Sequence, residues 1–315
     1  MNLSPENPVL IQGITDPLGK LHAARMKEYG TQVIAGVSSG FGGSEIEGIP
    51  VFDLVEQALA ATGPIDTSLL FLPPYQILDA ALEALAAGIR QLILVTGNVP
   101  PLDMVRLLQR VDRSEARLLG PGSHGAIVPD RLLLGTHPAD AYVPGKVGIL
   151  SRYSAVSTEL ALALNQTGLG QSICVHLGSA NLVGSDWLTW LKILEEDEKT
   201  EAIVLIGGVG GDREEQAAEF LRGKTKKPTI AYLAGLSIPP DKQWGQSSAF
   251  SSPPNSMLRS APRRLPTKVV AGSLASKLIA FEDASIPVAE SLLQIPALLD
   301  RALKPDVKLK KPRRR

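Results

Sequence analysis

Val9-Leu10-Ile11-Gln12-Gly13-Ile14-Thr15-Asp16-Pro17-Leu18-Gly19 decides the fold of this chain. The first four residues read as a short buried strand, and the glycine-bounded turn after them leads into a helix over residues 20–29. The same unit then recurs. Apolar runs at 32–35 and 68–72, the second stopped by Pro73-Pro74, lead through a helical pattern over 77–87 to another run at 92–95. A helix over 104–111 and a strand at 117–119, closed by Gly120-Pro121-Gly122, complete the first half. Short continuous apolar runs alternating with helical periodicity predict a parallel sheet covered on both faces.

The pattern restarts at Val147-Gly148-Ile149-Leu150. Strands follow at 172–177, 202–206 and 229–233, with helices over 155–165, 187–195 and 214–221 and two more near 274–281 and 297–303. Residues 128–146 show no clear periodicity and contain Pro129, Pro138, Pro144 and Gly145, which predicts an interdomain segment. The expected architecture is therefore α/β, with two doubly wound parallel-sheet domains over 1–127 and 147–303. Residues 251–266, rich in proline and serine, read as a mobile loop. Residues 304–315 hold seven lysines and arginines against Asp306, with two prolines, and read as a disordered basic tail.

A chain of 315 residues with 44% hydrophobic content is long enough for two cores. The formal net charge is zero, and the tail holds enough of the positive charge to leave the body mildly acidic. That argues against a nucleic-acid-binding body. No apolar run approaches the roughly 20 residues of a membrane span. Met1-Asn2-Leu3-Ser4-Pro5-Glu6 lacks the basic-then-apolar pattern of a signal peptide. The single cysteine, Cys174, sits in the run Ile173-Cys174-Val175, where a buried, inert thiol is expected. The expected compartment is the cytoplasm, and no metal-ligand cluster stands out in the spacing.

The turn from Gly13 to Gly19 would present free helix-terminal amides to an anion, although a turn of this kind also forms without a ligand. A dinucleotide reader would place an acidic residue at the end of the second strand. Here that strand runs into Gly36-Val37-Ser38-Ser39-Gly40-Phe41, and no carboxylate appears before Glu45. The turn suits another phosphate-bearing ligand better.

A set of collinear runs goes beyond any single motif: Gln12-Gly13, Tyr29-Gly30-Thr31, Gly48-Ile49-Pro50-Val51-Phe52, Ala61-Thr62-Gly63, Pro101-Leu102-Asp103-Met104, Pro144-Gly145-Lys146-Val147-Gly148-Ile149, Ser151-Arg152, Gly170-Gln171-Ser172, Thr200-Glu201-Ala202-Ile203-Val204 and Gly210-Gly211. Their order resembles the α subunit of succinyl-CoA synthetase, a succinate–CoA ligase, over residues 9–249 and more weakly over 272–303. The resemblance implies a Rossmann-like CoA-binding domain followed by a flavodoxin-like ligase domain. It implies coenzyme A contacts at Thr15, Asp16, Pro17 and Leu18, and again at Val95, Thr96 and Gly97. It also implies a separate β subunit that binds the nucleotide, and a second-domain histidine that relays phosphate to succinate before attack by the CoA thiol.

The chain departs from that pattern where the chemistry resides. The relay histidine is matched by Gln246, in Trp244-Gly245-Gln246-Ser247-Ser248-Ala249, and an amide does not form the phosphoramidate bond. The carboxylate that supports the histidine is matched by Gly208, and a substrate-contacting tyrosine by Thr158. A CoA-contacting lysine is matched by Phe41, and an acidic residue after Thr96 by Gly97. Four histidines remain. His22 reads as a packing residue in the first helix, and His137 falls in the interdomain segment. His124, in a glycine-rich loop, and His176, at a strand end, stand nearest the implied site. Trp187 and Trp190, three apart on a helix, read as core.

Three readings stay open. One is a paralogue that binds CoA or a β subunit, regulates, and relays no phosphate. The second is a working α subunit, and the third an acyl–CoA ligase with another relay. Weak CoA binding, no metal on this chain, and a β-subunit partner or a homo-oligomer are expected. The basic tail, with Arg259, Arg263 and Arg264, is expected either to stay solvated or to dock on an acidic partner, nucleic acid or membrane surface.

Overall fold

A computed structural model describes residues 3–180, 182–223, 225–236 and 272–304. Gln246, Trp244, the 251–266 segment and the tail beyond Lys304 lie outside these residues.

The first half forms one seven-stranded sheet in the order β3-β4-β2-β1-β5-β6-β7. Its strands are β1 (Val9–Gln12), β2 (Val33–Val37), β3 (Glu45–Ile46), β4 (Ile49–Phe52), β5 (Thr67–Leu70), β6 (Gln91–Leu94) and β7 (Arg117–Leu119). Helices α1 (Pro17–Glu28), α2 (Val55–Thr62), α3 (Ile77–Ala86) and α4 (Pro101–Asp112) connect them. Strands β1, β5 and β6 are buried along their whole length, as strands covered on both faces must be. Polar side chains inside this sheet are satisfied locally: Gln12 Nε2 donates to the Ala80 carbonyl at 2.9 Å, and Ser68 Oγ donates to Gln12 Oε1 at 3.0 Å.

The second sheet runs β14-β13-β12-β10-β11-β8-β9. It contains β8 (Gly125–Val128), β9 (Leu132–Gly135), β10 (Pro144–Ser151), β11 (Gln171–His176), β12 (Ala202–Gly208), β13 (Thr229–Ala234) and β14 (Val288–Ala289). Its helices are α5 (Ser154–Gln166), α6 (Trp187–Glu196), α7 (Arg213–Leu221), α8 (Leu274–Asp283) and α9 (Ile295–Leu303).

One expectation needs correction, and the doubly wound architecture gains a detail at its edges. Residues 128–146 are not a linker without regular structure. Ala126-Ile127-Val128 and Leu132-Leu133-Leu134 flank a turn at Asp130, whose φ is +58°, and β8 and β9 pair as an antiparallel hairpin. The second sheet thus begins at Gly125, three residues before the expected segment. The hairpin is held because its apolar residues and α1 bury each other: Thr31 Oγ1 donates to the Leu133 carbonyl at 2.8 Å, and the Asp130 amide donates to Tyr29 Oη at 2.7 Å. Neither sheet is wholly parallel, either. The edge pair β3–β4 and the pairs β8–β9 and β8–β11 are antiparallel. Helix α2 carries little apolar periodicity in its sequence, since its eight residues bury only Val55 and Ala58.

Candidate functional site

The carboxyl end of the first sheet forms a crevice. In register, Gln12 pairs with Val37 on one side and Leu70 on the other, and Leu70 pairs with Leu94. The loops after β1, β2, β5 and β6 therefore leave from one edge. The strand order reverses at β1, so the loops after β1 and β5 diverge and open the crevice there.

Local chemistry shapes its floor. Gly13 has φ +81°, and a Cβ there would meet Leu72 atoms at 3.1–3.2 Å, so both conformation and space call for glycine. A Cβ on Gly19 would lie 2.1 Å from the Gly13 carbonyl oxygen; helix and turn pack backbone to backbone. Asp16 caps α1 by accepting from the Leu18 amide at 3.0 Å, and Pro17 occupies the first turn. Replacing Gly19 by alanine is expected to destabilise the domain by about 1–3 kcal/mol through this overlap; an unchanged urea midpoint would refute the packing argument.

Four expected contact residues meet at this edge. Thr15 Oγ1 lies 2.6 Å from Ser38 Oγ, and Thr96 Oγ1 donates to the Leu72 carbonyl at 2.7 Å, just before Pro73 and Pro74. Val95 continues the sheet by donating its amide to the Leu70 carbonyl. Gly97 lies open, with the Gly122 Cα 3.6 Å from where its Cβ would be. Leu18 and Phe41 are exposed at the rim. Thr158 is not part of this group. Its hydroxyl donates to the Ser154 carbonyl at 3.0 Å within α5, with Tyr142 Oη 3.3 Å away.

At the carboxyl end of the second sheet is a cavity of about 210 Å³, lined by Arg152, Gly178, Trp187, Gly211, Asp212 and Arg213 among others. Beneath it lies a buried ionic network that sequence reasoning missed. Arg152 Nη1 donates to Glu214 Oε1 at 3.0 Å and to the Gly210 carbonyl at 3.1 Å. Lys277 Nζ, fully buried, donates to Glu214 Oε2 at 2.5 Å, to the Gly211 carbonyl at 2.7 Å and to Glu215 Oε2 at 3.2 Å. Burial opposes ionisation of Glu214, but Lys277, Arg152 and their hydrogen bonds outweigh it and hold the carboxyl below its ordinary range. The available signal was Lys277 itself, a lone lysine on the buried face of the helical run Leu274 to Phe281.

Gly208 ends β12 beside this network, its amide donating to Glu214 Oε1 at 3.1 Å. A Cβ at this position would lie 2.3 Å from Tyr153 Oη and 2.8 Å from Tyr153 Cε2. The tyrosine occupies the space a side chain at 208 would need. Burial raises its phenol above the ordinary range, so it stays protonated.

Three histidines form a cluster at the ends of β8, β9 and β11. The His124 amide donates to His176 Nδ1 at 2.8 Å, which leaves His176 Nε2–H to donate to the Arg152 carbonyl at 2.9 Å. His137 Nε2 lies 3.2 Å from the Gly125 carbonyl and Nδ1 lies 3.2 Å from Tyr142 Oη, so it too is a neutral ring with both nitrogens engaged. His124 Nδ1 pairs with Thr136 Oγ1 at 2.9 Å. His22 stacks on Phe71, with ring centroids 5.9 Å apart. Cys174 is buried, and burial pushes its thiol up to about 12. Trp187 and Trp190 are core residues as expected, with Trp187 also reaching the cavity.

The two folds are those of a CoA-binding domain joined to a CoA-ligase domain. Residues 5–97 match the family model described as CoA binding domain, and residues 150–261 match that described as CoA-ligase. The chain is 36% identical over 295 residues to succinate–CoA ligase [ADP-forming] subunit alpha 1 of Archaeoglobus fulgidus, covering 94% of this chain and 95% of that protein. It is 40% identical over 250 residues to the alpha subunit of Aquifex aeolicus, covering 79% and 82%. The chain belongs to the succinate–CoA ligase alpha-subunit family. The fold also matches ATP citrate lyase from Methanothrix soehngenii in complex with citrate and coenzyme A, with a TM-score of 0.79 at 18% identity. That match covers all of this chain but 53% of the other. Among the described residues no helix is long and apolar enough to cross a membrane.

Proposed function

We propose that this chain binds CoA weakly and docks on a ligase β subunit as a regulatory paralogue in the cytoplasm, without relaying phosphate through histidine. One observation carries the reading: the Tyr153 ring lies where a side chain at 208 would go. The resemblance implies a carboxylate there to support a phosphohistidine, and Gln246 stands at the histidine position. Loss of acceptor and loss of support thus coincide, and the second is consolidated by a large aromatic side chain. Acid–base help is easily rearranged among side chains, whereas a covalent phosphate acceptor has no ready substitute.

The alternative, an active ligase with a rewired relay, is favoured by the cavity between Arg152 and Arg213. It needs another acceptor. His176 and His137 have both ring nitrogens engaged and are almost fully buried, which speaks against them.

The test is incubation with γ-labelled ATP and a cognate β subunit, followed by mapping of acid-labile label. No phosphorylated residue is expected. Label on His124 or His176 would overturn the proposal and favour the rewired enzyme. Gln246→His alone should stay unlabelled, and Gly208→Glu alone should be destabilised by about 1–3 kcal/mol because the Tyr153 ring must swing away. Gln246→His with Gly208→Glu and Tyr153→Ser is expected to acquire label. Labelling of the single Gln246→His variant would show that position 208 does not matter.

A further inference from the structure

Among the described residues, the loops at the carboxyl edge of the first sheet lack the cations that a highly phosphorylated ligand attracts. No lysine or arginine occurs at 13–19, 38–44, 53–54, 72–76 or 95–100, the loops that leave this edge. The nearest following cation, Lys20, pairs with Glu47 at 3.4 Å. Carboxylates are present instead. Asp16 caps α1, and Asp53 Oδ1 accepts from the Gly40 and Gly42 amides at 2.6 and 3.0 Å.

Between those two glycines stands Phe41, 53% exposed. An exposed phenylalanine on a slack loop would mean little, but this loop is stapled. Besides the Asp53 bonds, the Phe41 amide donates to the Ser38 carbonyl at 3.1 Å. The Phe41 carbonyl accepts from Ser44 Oγ at 2.6 Å and from the Ser44 amide at 3.1 Å. The Gly43 amide reaches the Val51 carbonyl at 3.0 Å. Ser38, the near anchor, touches Thr15 at the α1 turn. The backbone that carries Phe41 is therefore fixed in a loop anchored to the α1 turn, which lowers the entropy cost of stacking a ligand on an exposed ring.

We infer that Phe41 is a specificity-determining residue: it stacks the nucleobase of a CoA-type ligand, and the crevice does not read a 3′-phosphate. This rests on the CoA reading of the crevice. The ligand class that fits is an adenosine-diphosphate-linked pantetheine thiol or thioester, with or without the 3′-phosphate. The α1 turn meets the diphosphate and Phe41 meets the base.

Calorimetry on the full chain with CoA, 3′-dephospho-CoA and 4′-phosphopantetheine tests it. CoA and 3′-dephospho-CoA should bind within about threefold of each other. Phe41→Ala should weaken both by about tenfold, the scale of one base–aromatic stack, and leave 4′-phosphopantetheine unchanged. Phe41→Trp should restore both. Phe41→Lys should favour CoA over 3′-dephospho-CoA by about tenfold, since a cation then meets the extra phosphate. If none of the three compounds binds the wild-type chain, the CoA reading of the crevice fails, and the inference with it. If CoA binds more than tenfold tighter than 3′-dephospho-CoA, or Phe41→Ala binds both as wild type does, the CoA reading stands and the role given to Phe41 is overturned.

Discussion

Lys277→Ala is expected to cost about 3 kcal/mol or more of folding stability, the scale seen when one partner of a buried ion pair is removed. The lysine ammonium is wholly buried and contacts two carboxylates and a backbone carbonyl. Its loss leaves Glu214 charged and 1% exposed, with Oε2 deprived of its ammonium while Oε1 keeps Arg152 and the Gly208 amide, and leaves Glu215 without its ammonium. Lys277→Met combined with Glu215→Gln removes one charge of each sign and leaves Glu214 paired one-to-one with Arg152, so it should recover part of the loss. Urea denaturation of the wild type, Lys277→Ala and the double variant measures this. A loss below about 1 kcal/mol for Lys277→Ala would mean that water reaches Glu214, and the network would then be ornament to α7 and α8 rather than their brace.

The strand–turn–helix at residues 9–19 was legible because everything it needs is local: an apolar run, Gly13 at a positive φ, a capping aspartate and a proline in the first turn. The β8–β9 hairpin was not, although its two apolar runs flank Pro129-Asp130. Each run is only three or four residues long, and its partners, α1 and β11, come from distant parts of the chain. The antiparallel edges escaped for the same reason, since pairing direction depends on which strand lies alongside.

The first-domain crevice followed from the order of strands and loops, because the loops after successive parallel strands leave the same edge of the sheet. The second-domain arrangement did not. A lysine in a helix reads as solvated until two glutamates from another helix surround it. A glycine at 208 reads as a simple loss until Tyr153, 55 positions earlier, is seen to occupy its space. Likewise, His124, His137 and His176 read as separate residues, and only the folding of β8 against β11 makes them one cluster.

That cluster makes the fold sensitive to acid. Burial lowers His137 to about 3 and His176 to about 4, against the ordinary 6.5. The hydrogen bonds explain why protonation is resisted. A proton on His176 Nδ1 would face the His124 amide that now donates to it, and the ring would be charged with no carboxylate to meet it. Both folded values lie below the unfolded one, so the unfolded chain binds more protons between them. Stability from these rings is fully present above about pH 6.5 and is lost as pH falls through the window down to 3–4. Between pH 7.5 and 5.0 each ring should therefore cost about 2 kcal/mol, roughly 4 kcal/mol together. His22 and His124, also lowered by burial, act in the same direction. Glu214 adds nothing in this range, since its carboxyl is ionised in both states until the pH nears the ordinary carboxylate value. Urea midpoints at pH 7.5, 6.5, 5.5 and 5.0 should fall steadily, with the steepest change below 6.5. His137→Gln keeps a donor toward the Gly125 carbonyl but cannot titrate; whatever it costs at pH 7.5, it should show about 2 kcal/mol less acid loss than wild type. Equal slopes for the two proteins, or a wild-type stability flat from pH 7.5 to 5.0, would mean that the rings are already protonated or hydrated in the folded state.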